Sequence, residues 1–173
     1  MNITRLIDIE DISRLARPCY ADEELVGTCI LEAQNIDLRN QLGDALYMAI
    51  FNEGATSPRI ARLLEMQTYN GCCGDNKVSF GLLKALAYYA YARIVKTGSN
   101  TQTRYGMVAK TDEYSTNTIL KERIAAYEDA FATADSYMAG VLDYIVANNS
   151  DYPEYCRGGR MNNNRVRFNM IGN

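Results

Sequence analysis

Apolar residues recur along most of this chain at helical spacing, and the exceptions are confined to a few polar stretches. Ile7, Ile9, Ile12 and Leu15 alternate at first and then step by three, against Asp8, Glu10 and Asp11. That predicts an extended lead into a short helical turn. Arg17-Pro18 should end it, because a residue before proline is pushed out of the helical region. Asp22 is a good N-cap, and Glu23 and Glu24 suit the positive end of a helix dipole. Leu25, Val26, Cys29, Ile30 and Ala33 form the stripe of that helix. Asn35 and Asp37 predict a break or a recap. A second helix follows over 38–51, with Leu42, Ala45, Leu46, Ala49 and Ile50 inward and Gly54 at its end. Ser57-Pro58 opens a short helix to Met66. Residues 69–76 read as a loop.

Ser79 then caps a helix over 80–96 that is apolar on every side, from Leu82 to Ala92, with Gly81 inside it for close packing. Such a helix belongs in the middle of a bundle or between subunits. Gly98 ends it. Residues 99–117 are polar, and Thr101, Thr103 and Tyr105 alternate with Gln102 and Arg104, as an extended arm would. An irregular connector of that length is unusual in a compact domain. The last helix covers 118–148. Ile124, Tyr127, Phe131, Ala134, Met138, Val141 and Ile145 fall on alternating steps of three and four, a heptad seam that packs within the chain or on another one. The predicted fold is mainly α. It is a small helical bundle with a long C-terminal helix, an extended arm between the last two helices and an extended C-terminal tail. Residues 1–150 make the helical domain, and 151–173 make the basic tail.

Charge sharpens the split between body and tail. From Tyr155 to Asn173 there are four arginines, Arg157, Arg160, Arg165 and Arg167, and no acid. The preceding residues carry 14 basic and 21 acidic side chains, so a +4 tail hangs on a −7 body. The tail has too few apolar residues for a core. It stays solvated, docks on an acidic protein surface or touches nucleic acid; the body's negative charge argues against nucleic-acid binding by the body itself. With 47% hydrophobic residues, the 173-residue chain can build one real core. Its longest apolar run, 85–92, is too short to cross a bilayer, so no membrane role is expected.

The candidate chemistry is thin. Histidine is absent, which removes every Ser-His-Asp and Cys-His pair and the common histidine metal sites. Five cysteines, an odd number, favour free thiols over a disulfide framework. Gly71-Cys72-Cys73-Gly74-Asp75 offers two thiols and a carboxylate, yet adjacent cysteines rarely share a zinc. Glu10-Asp11, Asp22-Glu23-Glu24 and Asp112-Glu113 read as caps or solvated acids rather than a catalytic pair, which needs two environments across a cleft. Thirteen tyrosines without a tryptophan serve either the core or subunit contacts. No catalytic, cofactor or metal site is expected.

One pattern is informative as a whole. Ile30-x-x-Ala33, Leu42-Gly43-x-x-Leu46-Tyr47, the long polar gap and Leu82-Leu83-x-Ala85-Leu86-Ala87-Tyr88-Tyr89-Ala90-x-Ala92-Arg93 come first. Thr103-x-Tyr105-Gly106-Met107-Val108 and the long helix follow. Over residues 5–150 this order resembles the head–tail connector (adaptor) proteins of tailed bacteriophages, most closely those of crAss-like Bacteroides phages. The resemblance implies a virion protein that assembles in the host cytoplasm into a ring, commonly of twelve subunits, beneath the portal. The ring joins head to tail and continues the channel through which DNA is packaged and ejected, without reading its sequence. It implies no enzyme activity and no cofactor. Its partners would be copies of itself, the portal protein and further neck or tail proteins. The arm, with Thr103, Tyr105 and Met107, would meet a neighbouring subunit or line the channel. Arg157, Arg160, Arg165 and Arg167 would dock on the portal or another partner. The alternative is a cytoplasmic helical binding module that uses its basic tail on nucleic acid or an acidic protein.

Overall fold

The computed structural model describes residues 4–19, 21–71, 74–97, 100–103, 106–109 and 120–155. The fold is mainly helical. Its short first helix, α1 (Ile9–Leu15), begins where Asp8 accepts from the Asp11 amide and Asp11 accepts from the Asp8 amide. The carboxylates at its start therefore cap a helix, and α1 stops just before Arg17-Pro18. α2 (Glu23–Glu32) starts where Asp22 accepts from the amides of Glu24 and Leu25.

The expected break at Asn35 and Asp37 does not occur. The chain passes from α2 into a π-helical segment (Ala33–Leu38) and then into α3 (Arg39–Leu42). Polar side chains of the π segment have distant partners. Gln34, fully buried, donates to the Thr4 carbonyl and accepts from the Leu6 amide. Asn35 accepts from Tyr47 at 2.6 Å, and Asp37 is held by Arg93. Such bonds offset the poorer geometry of a wide turn. The corner falls at Gly43 instead, whose φ of +79° suits glycine. α4 (Asp44–Glu53) follows and ends at Gly54, as expected.

α5 (Pro58–Leu64) carries proline in its first turn. The expected loop after it contains an antiparallel hairpin, β1 (Gln67–Asn70) with β2 (Asn76–Ser79), in the register Thr68↔Val78. Its inner side reaches the body through Tyr69, whose ring meets Tyr144 edge-on at 5.3 Å. Ser79 is buried at the end of β2, so it does not cap a helix beginning at Phe80.

α6 (Leu82–Thr97) is the central helix. Leu82, Ala85, Leu86, Ala87, Tyr89, Ala90, Ala92 and Ile94 are buried. α1, α2, the π segment, α5 and α7 (Leu120–Ala147) all pack against it. The two long helices run antiparallel: Phe80 meets Tyr137, Tyr89 meets Phe131, and Lys96 lies over Tyr127. The heptad seam of α7 is thus satisfied within the chain. Ala134, Met138, Val141 and Ile145 are buried, while Ile124 at its start remains 49% exposed. Of the tyrosines expected to serve core or interface, Tyr89 and Tyr144 are buried and Tyr88, Tyr91, Tyr127 and Tyr137 are partly so.

Gly81 precedes α6 rather than lying inside it, at φ +85°. A Cβ there would come within 2.5 Å of the Glu65 carbonyl carbon and collide with the Leu64 oxygen, so the expected close approach is real but is made by backbone. Gly81→Ala should destabilise the body by about 2 kcal/mol or more through strain and overpacking. Gly140→Ala in α7 faces open space and should be neutral or stabilise by up to ~1 kcal/mol. Urea unfolding of both variants checks the contrast; equal stabilities would contradict it.

Candidate functional site

The arm between α6 and α7 contains a second hairpin. β3 (Asn100–Thr103) pairs antiparallel with β4 (Gly106–Ala109), in the register Asn100↔Ala109 to Thr103↔Gly106. Thr103, the last residue of β3, is therefore paired with Gly106, and Met107 stands opposite Gln102. Tyr105, the third interface candidate, lies outside the described residues. The roots of the arm are tied together where the Arg123 guanidinium donates to the Lys96 carbonyl at 2.7 Å. Among the described residues, β3 and β4 make no extensive contact with another element, whereas β1 and β2 both pack on α7.

Arg157, Arg160, Arg165 and Arg167 lie outside the described residues, as do Gly98, Cys72, Cys73, Cys156 and the Asp112-Glu113 pair. The root of the tail is described, and it is fastened. Residues 151–155, counted with the tail on sequence grounds, pack on α5. Arg59 donates to the Asp151 carbonyl at 2.8 Å and to both Glu154 oxygens at 2.8 and 2.9 Å, and it also pairs with Glu53. Arg62 reaches Asp151 at 3.1 Å. Tyr152 is fully buried and donates to the Arg59 carbonyl at 2.7 Å. Burial and the neighbouring Tyr144 push its phenol well above the usual range. The Arg59 and Ser57 donors hold Glu53 down to about 2, and Arg59 lowers Glu154 as well. Arg59 and Glu154 are 95 residues apart in sequence, so no local pattern could reveal this clasp.

Another polar cluster joins the π segment to α6. Arg93 engages both oxygens of Asp37, at 2.8 and 3.1 Å, and Glu32 at 2.9 Å. Burial pushes Asp37 up while Arg93 pulls it down. Tyr89 donates to Asp135 at 2.7 Å nearby. With both its oxygens occupied by Arg93, Asp37 is positioned to fasten helices rather than to move protons. Among the described residues, no three Cys, Asp or Glu side chains converge as metal ligands would. Cys19 and Cys29 are free thiols, and burial pushes both up, away from the reactive thiolate. A groove of about 490 Å³ between α4, α5 and the N-terminal lead is walled by Leu6, Ile50, Phe51, Leu64 and Leu83. Arg5 and Glu65 are its only charged lining, so it carries no pair of acids across a cleft.

One exposed surface was not legible beforehand. The β1–β2 register, extended by one pair past Gln67↔Ser79, places Met66 opposite Phe80 and on the same side as Val78. These three are 61%, 46% and 45% exposed, respectively. Phe80 continues the stripe into Tyr137 and Tyr88, with the Lys84 ammonium 5.4 Å from the Phe80 ring and 5.1 Å from Tyr137. No described helix is long and apolar enough to cross a membrane.

Residues 38–165 match the model of a family described as a family of unknown function, DUF6712. No curated protein and no solved structure matches the chain.

The clasp has a definite pH dependence. Glu53 and Glu154 are depressed in the folded state, so their contribution is complete above the ordinary carboxylate value of 4.5 and is lost as pH falls below it, for Glu53 toward about 2. Amide exchange at Tyr152, Glu154 and Tyr155, taken relative to the intrinsic rate at each pH, should be slow at neutral pH and approach that rate across the window. In Arg59→Ala it should be fast at every pH; protection retained in the variant would contradict the clasp.

Proposed function

The chain belongs to DUF6712, a family of unknown function, and we propose that it is a structural ring component of a phage neck, joining head to tail beneath the portal. The observation that carries this reading is the arm: a hairpin set between the two longest helices and making no extensive contact with its own body among the described residues. Extended devices of this kind suit attachment to other chains. The clasped root of the tail is consistent with the same role. Arg59 and Tyr152 fix where the tail leaves the body, so a basic segment of 18 further residues starts from a defined point beside α5. Four arginines without an acid favour an acidic protein surface, here the portal or another neck protein. The protein works by contact rather than by chemistry, and DNA passes it without sequence reading.

The basic tail also favours a second reading, a cytoplasmic binding module that grips nucleic acid through those arginines. Purified virions separate the two. On the connector reading, mass spectrometry finds the chain in the particles, and deletion of 156–173 keeps the body folded but abolishes incorporation. Absence of the chain from complete virions would overturn it. Salt-sensitive nucleic-acid affinity, lost when the four arginines become alanine, would then favour the module.

A further inference from the structure

We infer that the stripe Met66–Val78–Phe80 is the docking site for the β3–β4 hairpin of a second copy of this chain. This deepens the connector reading, on which its ring geometry rests.

The two hairpins differ in their support. β1–β2 is braced by α7 and presents a row of exposed apolar side chains on its outer side. β3–β4 makes no extensive contact with another element among the described residues. An isolated two-stranded hairpin is marginally stable in water and gains most by packing a face against something. Within the arm, β4 holds the run Met107-Val108-Ala109.

A copy of the chain must supply the hairpin. β2 leads into the start of α6, and β3 follows its end, so the two hairpins stand at opposite ends of 16 residues of helix, a rise of about 24 Å. To reach its own stripe, the arm would have to fold back along α6, whose flanks are already covered by α1, α2 and α7. A donor at one end and an acceptor at the other make a head-to-tail contact. Repeated, that contact closes into a ring or runs on as a filament.

The test places a photoreactive residue in the stripe, as Phe80→p-benzoylphenylalanine, in an equal mixture of isotopically light and heavy full-length chain. It is irradiated as purified protein at high concentration and, separately, in assembled virions. Cross-links should join position 80 to the tryptic peptides 97–104 or 105–110, with mixed light–heavy pairs showing that they pass between copies. Adding Val78→Asp should lower the yield at least about tenfold, because docking would bury an unpaired carboxylate. Cross-links confined to one copy, to other segments or to other proteins would overturn the docking, as would their absence from both preparations. Cross-links in the purified chain, with no chain found in virions, would overturn the connector reading and leave the docking standing.

Discussion

The antiparallel packing of α6 on α7 is the constraint on which the remaining features depend. From Leu82 to Ala92, α6 has little beyond Lys84 to give to water, so nearly all of that stretch must be covered. α7 supplies one side through its heptad seam, and α1, α2 and the π segment supply others. Each fully buried leucine or isoleucine there contributes about 1.5–3 kcal/mol relative to exposure. Aromatic pairs at 5.1 to 5.4 Å add orientation, setting Tyr89 on Phe131 and Phe80 on Tyr137. Once this pair of helices is rigid, both ends of the molecule are placed: the β1–β2 hairpin at one, the arm at the other.

Secondary attachments are polar and charge-based, and they act where apolar packing ends. Arg93 ties the π segment to α6. Arg59 ties the last described residues to α5. Arg17 reaches Asp129 at 2.7 Å and joins the end of α1 to α7. Exposed pairs of this kind contribute little energy singly. The Arg59 network is stronger in kind, because one guanidinium serves two carboxylates and a carbonyl while Tyr152 is buried beneath it. Its effect is positional: it fixes the point where the basic tail begins.

Helices with a strong apolar stripe and a clear cap were legible in the sequence: α1, α2, α4, α5, α6 and α7 all arise close to where periodicity and Asp22, Pro58 or Gly54 place them. The errors have physical causes. Asn35 and Asp37 look like helix breakers, but their partners Tyr47 and Arg93 are distant in sequence and keep the backbone helical in a wider form. Gly43 lies within an apolar stripe, so its left-handed φ leaves no periodic trace. The β1–β2 strands are four polar-rich residues each, too short to alternate visibly, and their apolar members, Val78 and the flanking Met66 and Phe80, appear as a stripe only after pairing. Clasp residues Arg59 and Glu154 read separately as ordinary surface charges.

An electron cryomicroscopy reconstruction of the head–tail junction in intact virions tests the central claim most directly. The account predicts a closed ring of this chain below the portal, with the hairpin between α6 and α7 of each copy lying across Met66, Val78 and Phe80 of the next. A junction built without this chain, or a ring in which that stripe faces solvent, would contradict it.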